Sequence, residues 1–248
     1  MTSAPYHGDC NTAAAKDGDA SAVGGVMRRV VQEIQRFAKH IGMDNETISM
    51  CGDDAALIGM LDSDYYGRIN VDLPTIGSFL RGMANQWSRK GMHIVVDGGD
   101  LRSRRQASQM VLYWAAPHHM REFDNPAIVV EMSEVIVVMN GYGLQREARA
   151  EELERIPLLA IMEVDVLSTF RQEGDGRERF DLLLSRRERA GRPTIIVMAD
   201  NLDDVDTAAG RRGIAAAFGR RFESIVCSKH AGDFVCKIRL PRVHGEGQ

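Results

Sequence analysis

The chain has no apolar run near the ~18–20 residues that a membrane-spanning helix needs, so a helical membrane protein is excluded. It has little cysteine. Cys10, Cys51, Cys227 and Cys236 are scattered and form no C-x-x-C, which removes the usual zinc-ribbon and dithiol signatures. Free thiols of a cytosolic protein are the default reading, with a Cys227–Cys236 pair left open. Strong charge of either sign is missing too: the net charge is −4, which does not announce a nucleic acid or membrane partner. Met1–Ala22 is polar and carries Asp9, Asp17 and Asp19, unlike a secretory leader, so a cytoplasmic location is expected. His118 and His119 are adjacent and do not share a helix face, which argues against a metal pair. No internal repeat is found. Finally, neither Gly-Lys-Ser nor Gly-Lys-Thr occurs anywhere, so a standard phosphate-binding P-loop is absent.

What is present reads as a globular domain with a small appendage: 248 residues, 44% apolar and 27% charged. Residues 1–25 are rich in Ala, Gly, Asp, Ser and Thr and are expected to form a disordered tail. Residues 26–90 read as a helical N-terminal region. Val26, Val30, Ile34, Phe37 and Ile41 recur at helical spacing up to Gly42, and a second helix is expected over Leu73–Lys90. Asp44–Asn70 gives no clear assignment.

From residue 91 to 241 strands and helices alternate, the signature of an α/β fold with a parallel sheet. The expected strands are His93–Asp97, Ala127–Met132, Leu158–Glu163, Thr194–Ala199 and Ser224–Cys227, with Phe234–Leu240 as a terminal one. The expected helices are Gln106–Ala116, Glu147–Arg155, Glu178–Arg189 and Ala208–Phe218. Val135–Met139 fits either a strand or the start of a buried helix. Residues 242–248 read as a loose end.

Four stretches carry chemistry. The strand His93–Asp97 runs into Gly98-Gly99-Asp100-Leu101-Arg102-Ser103-Arg104-Arg105, the setting of a phosphate loop. Gly98 is in place, but Ser103 stands for the second glycine, Arg104 for the lysine and Arg105 for the metal-binding hydroxyl. An arginine is planar and bulky where that lysine acts as a point charge. Arg102, Arg104 and Arg105 are therefore expected either to plug the loop by pairing with Asp97, Asp100 or Glu163, or to hold an anion. Leu158–Glu163 has the apolar strand that carries Asp-Glu in P-loop ATPases, but Met162 replaces the metal-anchoring acid and only Glu163 survives, with Asp165 as a displaced substitute. Thr194–Asn201 ends a strand on Asn201, which fits a residue orienting a γ-phosphate or water. Arg220 and Arg221 follow a helix, where a finger arginine would reach a neighbouring subunit. Each of these alone is better explained blandly: a buried strand, an Asn cap, two solvated arginines.

Taken together and in order, they resemble the helicase-loader branch of AAA+ ATPases, the DnaC/DnaI type and the related IstB transposition helper. The most similar stretch is Leu153–Phe222, including FDLLLSRRERAGRPTIIVMADN over Phe180–Asn201. The resemblance implies an AAA+-like P-loop three-layer fold. It implies an adaptor that binds a hexameric replicative DNA helicase or an AAA+ partner and loads or inhibits it. Val30, Ile34, Phe37 and Ile41 would be the grip, with self-association and single-stranded DNA as further contacts. The broken motifs imply no cofactor and no metal, hence a pseudo-ATPase. The alternative is an atypical active ATPase acting in replication or transposition, and only under it would ATP and Mg²⁺ bind.

Overall fold

Short runs rich in Ile, Val and Leu make five strands: β1 His93–Asp97, β2 Ala127–Glu131, β3 Leu158–Val164, β4 Thr194–Met198 and β5 Val235–Arg239. In the computed structural model, which describes residues 31–52, 54–75, 78, 93–120, 122–164, 175–199, 208–227 and 235–242, they form one sheet. Every pairing is parallel, in the order β2-β3-β4-β1-β5. All residues of β1, β4 and β5 are buried, as a sheet covered on both faces requires.

One face carries Ile94, Val96, Ala160, Met162, Ile195 and Val197. It is covered by α5 (Leu101–Ala115) and by the N-terminal helices α1 (31–40), α2 (Asn45–Met50), α3 (Asp54–Met60) and α4 (Ser63–Arg68). The other face carries Val95, Leu159, Ile161 and Ile196. It is covered by α6 (Met132–Asn140), α7 (Leu144–Arg155), α8 (Asp175–Arg189), α9 (Ala208–Phe218) and α10 (Arg220–Val226). This is a three-layer α/β architecture with a parallel sheet, as the alternating pattern implies.

Two expectations need correction. Ser224–Cys227 is not a strand. Phe222, Ile225 and Val226 are spaced for a helix face, and Phe222 packs on Phe218 and Phe180 with ring centroids 5.1 and 5.7 Å away. The fifth strand is Val235–Arg239, within the terminal strand expected over Phe234–Leu240. The helix expected from Gln106 starts five residues earlier, at Leu101, because the Asp100 carboxylate caps it by accepting the Ser103 N–H at 2.7 Å. Val135–Met139, open between strand and helix in the sequence, lies within a helix. Most of the expected Leu73–Lys90 helix lies outside the described residues, as do Asp165 and Asn201.

The N-terminal helices share their core with the sheet. Phe37 and Ile41 are 2% and 5% exposed inside that core, so these two members of the expected grip are spent on internal packing. Ile34 is half-buried, and Val30 lies outside the described residues. Helix α4 closes the β5 edge. The Asp62 N–H donates to the Arg239 carbonyl (2.9 Å), the Arg239 N–H to the Tyr66 hydroxyl (3.0 Å), and that hydroxyl to the Lys237 carbonyl (3.0 Å).

His93 begins β1 and is fully buried, and neither ring nitrogen has a hydrogen-bond partner among the described residues. Glu188 lies 3.9 Å from its Nε2. Burial first, then the positive charges of Arg221 and Arg187, push its pKa down to about 3. The unfolded chain, titrating near ~6.5, binds a proton that the folded chain refuses. His93 thus leaves stability intact above pH ~6.5 and erodes it as pH falls toward about 3, by at most ~1.4 kcal/mol per pH unit. Urea denaturation from pH 7 to 4.5 should show that slope, and His93→Phe should flatten it. Parallel slopes for the two proteins would remove His93 as the cause.

Candidate functional site

The C-terminal ends of β1 and β3 are where a parallel α/β sheet places its ligands. Here β1 leaves the sheet through only Gly98, Gly99 and Asp100 before α5 begins at Leu101. Ser103, Arg104 and Arg105, which align with Gly-Lys-Ser/Thr, therefore sit inside the helix. A phosphate loop works by aiming free backbone N–H groups at an anion. These N–H groups have other partners. Gly99 donates to the Pro241 carbonyl (2.9 Å) and Arg104 to the Asp100 carbonyl (3.0 Å), while Ser103 donates to the Asp100 carboxylate. The Ser103 hydrogen bonds hold the Asp100 carboxyl below its ordinary pKa, so it stays an anion at the helix N-terminus.

Gly98 and Gly99 both take left-handed backbone angles, φ 79° and 65°. The segment after β5 lies against them. Leu240 donates its N–H to the Asp97 carbonyl (2.8 Å), and a Cβ on Gly98 would fall on the Leu240 carbonyl oxygen. Below this, Asp97 and Arg239 form a buried ion pair at 2.5 Å, with the Arg239 guanidinium 4.5 Å from the centre of the Tyr65 ring.

Arg104 fills the remaining space. Its guanidinium grips both carboxylate oxygens of Glu163, Nε at 3.2 Å and Nη2 at 2.8 Å, while Nη1 donates to the Gly99 carbonyl at 2.9 Å. The two side chains are 10% and 27% exposed, so this bidentate pair is largely shielded from solvent. Glu163 holds a left-handed backbone, φ 52°, which is uncommon for a residue with a side chain. Met162, at the place of the metal-anchoring acid, is fully buried, with its sulfur 3.7 Å from the Ser108 hydroxyl. Of the acids that the sequence offered Arg104, the structure selects Glu163.

The other arginines pair elsewhere: Arg105 with Glu131 (3.1 Å) and Arg102 with Glu46 (2.5 Å), both exposed contacts that add little stability. Arg221 is half-buried. Its guanidinium pairs with Glu188 and its backbone N–H donates to Asp181 Oδ1 at 2.8 Å. Arg220 is exposed. Sequence reasoning missed the Leu240–Pro241 cover and the role of Asp100. An Asp three residues before Ser103 was the available capping signal.

No family model matches the chain, and a search of curated proteins finds no match. Among solved structures, the chain is similar to the crystal structure of DnaI, with 11% identity, 74% of this chain and 87% of that one covered, and a TM-score of 0.46. It is similar to the DnaC helicase loader at 12% identity, covering 68% and 90%, TM-score 0.46. It is also similar to domain III of the Thermotoga maritima replication initiation protein DnaA, at 10% identity, covering 73% and 68%, TM-score 0.45. These likenesses add nothing to the chemistry of the site.

Proposed function

We propose that this chain is a pseudo-ATPase adaptor of the helicase-loader kind, acting in DNA replication through a hexameric replicative helicase or an AAA+ partner rather than through nucleotide turnover. The observation that supports it is the Arg104 fork on Glu163. It neutralises the one surviving acid of the hydrolytic strand and fills the space over the loop. Without a lysine on the phosphates, a hydroxyl on Mg²⁺ or a first acid, the chain lacks the electrostatic stabilisation that phosphoryl transfer depends on. The partner class comes from the resemblance over Leu153–Phe222 alone.

The expected result is no ATPase activity above background, and no rise in melting temperature with ATP and Mg²⁺. A nucleotide held at a hundredfold excess over its Kd would stabilise by ~2.7 kcal/mol. Restoring the consensus with Ser103→Gly, Arg104→Lys and Arg105→Thr should not bring binding back, because a loop of only three residues, with its Gly99 N–H committed to Pro241, cannot wrap a phosphate. Turnover that Glu163→Gln abolishes would overturn the pseudo-ATPase reading. Sedimentation of the chain with the purified replicative helicase of the same cell tests the adaptor role. Failure to co-sediment, with and without ATP, would remove the helicase as partner.

A further inference from the structure

The two edges of the sheet are treated differently. At β5 the Tyr66 hydroxyl and the Asp62 N–H take up outward backbone groups of Lys237 and Arg239. At β2 no described residue does so. The Pro126 carbonyl accepts the Leu158 N–H at 2.9 Å, so residue 126 faces β3. Alternation along the strand then turns the N–H and C=O of Ala127 and Val129 out of the sheet. Ile128 and Val129, at the middle of this edge, are only half-buried.

A cavity of about 500 Å³ runs along the edge, and its walls come from both helical layers. On one side stand Ile41, Gly42 and Gln109, and on the other Arg149, Glu152 and Ile156. The edge strand is thus recessed in a slot between the layers. The two walls differ in charge. Arg149 lies between Glu134 (2.8 Å) and Glu152 (2.7 Å), one cation against two carboxylates, which leaves a surplus negative charge. Opposite, the Gln109 amide is committed to the Ile41 carbonyl at 3.0 Å, and Arg105, which lines the same wall with His40, is paired with Glu131 at 3.1 Å, so that wall offers no surplus negative charge.

We propose that the β2 edge is a docking slot for an extended segment of a partner protein, which adds to the five-stranded sheet as a further strand. Its alternate side chains are basic, reaching Glu152, and the ones between are small and apolar, lying beside Gly42 and the little of Ile41 that the core leaves open. A second copy of this chain does not fit, because pairing two recessed edges would drive the walls of the two slots into each other.

The test uses the full chain and a short end-capped peptide of alternating lysine and valine, followed by fluorescence anisotropy and amide hydrogen exchange. Saturable binding with protection of the Ala127 and Val129 amides is expected. N-methylation of the peptide at alternate residues, which removes its pairing N–H groups, should weaken binding about tenfold or more. Val129→Pro deletes an outward donor without touching the β3 ladder and should do the same. Glu152→Lys should weaken binding about threefold to tenfold by reversing the wall charge. If Val129→Pro lowers the melting temperature, the N-methylated peptide decides alone. No saturable binding, equal affinity for the N-methylated peptide, or protection elsewhere overturns the proposal.

Discussion

Arg187→Ala is expected to destabilise the protein by about 3–5 kcal/mol, lowering its melting temperature by roughly 10 °C. Arg187 is fully buried, and among the described residues no carboxylate pairs with it. Its guanidinium is caged by oxygens instead. Nε donates to the Thr194 hydroxyl at 2.9 Å, Nη1 to the Leu153 and Ile156 carbonyls at 2.7 Å each, and Nη2 to the Pro193 carbonyl at 2.6 Å. Longer contacts reach Glu154 and Pro157. Burial, and then the charge of Arg192, pull its pKa down to about 9.

These carbonyls end α7 and lead into β3 and β4, so one side chain ties three chain segments together at the N-terminal side of the sheet. Alanine would leave several buried carbonyls unpaired at once. Lysine would satisfy fewer of them, because a point charge cannot reproduce the planar fork, so Arg187→Lys should recover only part of the loss. The neighbouring Arg186 is the control. It is exposed and pairs with Glu154 at 2.9 Å, so Arg186→Ala should cost at most about 1 kcal/mol. Equal urea midpoints for Arg186→Ala and Arg187→Ala would show that the cage contributes nothing special.

The adjacent pair Arg186-Arg187 shows where sequence reading stops. Both look like solvated charges at a helix end, and only the position of the β3 and β4 starts buries one and exposes the other. The strands themselves were legible, because runs such as IVV and TIIVM suit a doubly covered sheet, although the equally apolar Val135–Met139 forms a helix. The Asp44–Asn70 region was not. Its three helices have 6, 7 and 6 residues, too short to display a period, and two of them are set by the single caps Asp44 and Asp62. At the site, the sequence offered Asp97, Asp100 and Glu163 as partners for three arginines, and only Arg104 takes one of them, while Arg102 and Arg105 pair with Glu46 and Glu131. The choice follows from a helix start at Leu101 and a left-handed Glu163, neither of which local propensity encodes. Apolar spacing in α1 was read correctly as one face of a helix, but spacing alone does not say whether that face meets the core or a partner. The burial of Phe37 and Ile41 assigns it to the core at those two positions.

Gly98→Ala is expected to cost about 3 kcal/mol or more, for two additive reasons. The left-handed backbone at φ 79° costs a side-chain-bearing residue ~1–2 kcal/mol. The new Cβ would also meet the Leu240 carbonyl oxygen, and a backbone atom held in a parallel ladder cannot swing away as a side chain can. Gly99→Ala should cost less. Its Cβ would be 2.9 Å from Leu240 Cδ1, the movable end of a side chain, although the φ of 65° still carries its own strain. The order of the two losses distinguishes the roles a glycine can have here. In a loop that cradles phosphate, the missing Cβ makes room for an anion, and a substitution acts mainly on nucleotide binding. In this chain the missing Cβ at Gly98 makes room for the segment that follows β5, so the substitution should act on folding. Chemical denaturation of the two variants reads the difference directly. If Gly98→Ala proves neutral within about 0.5 kcal/mol, then Leu240–Pro241 does not sit on the loop in solution, and the Gly99 N–H it occupies is open to an anion.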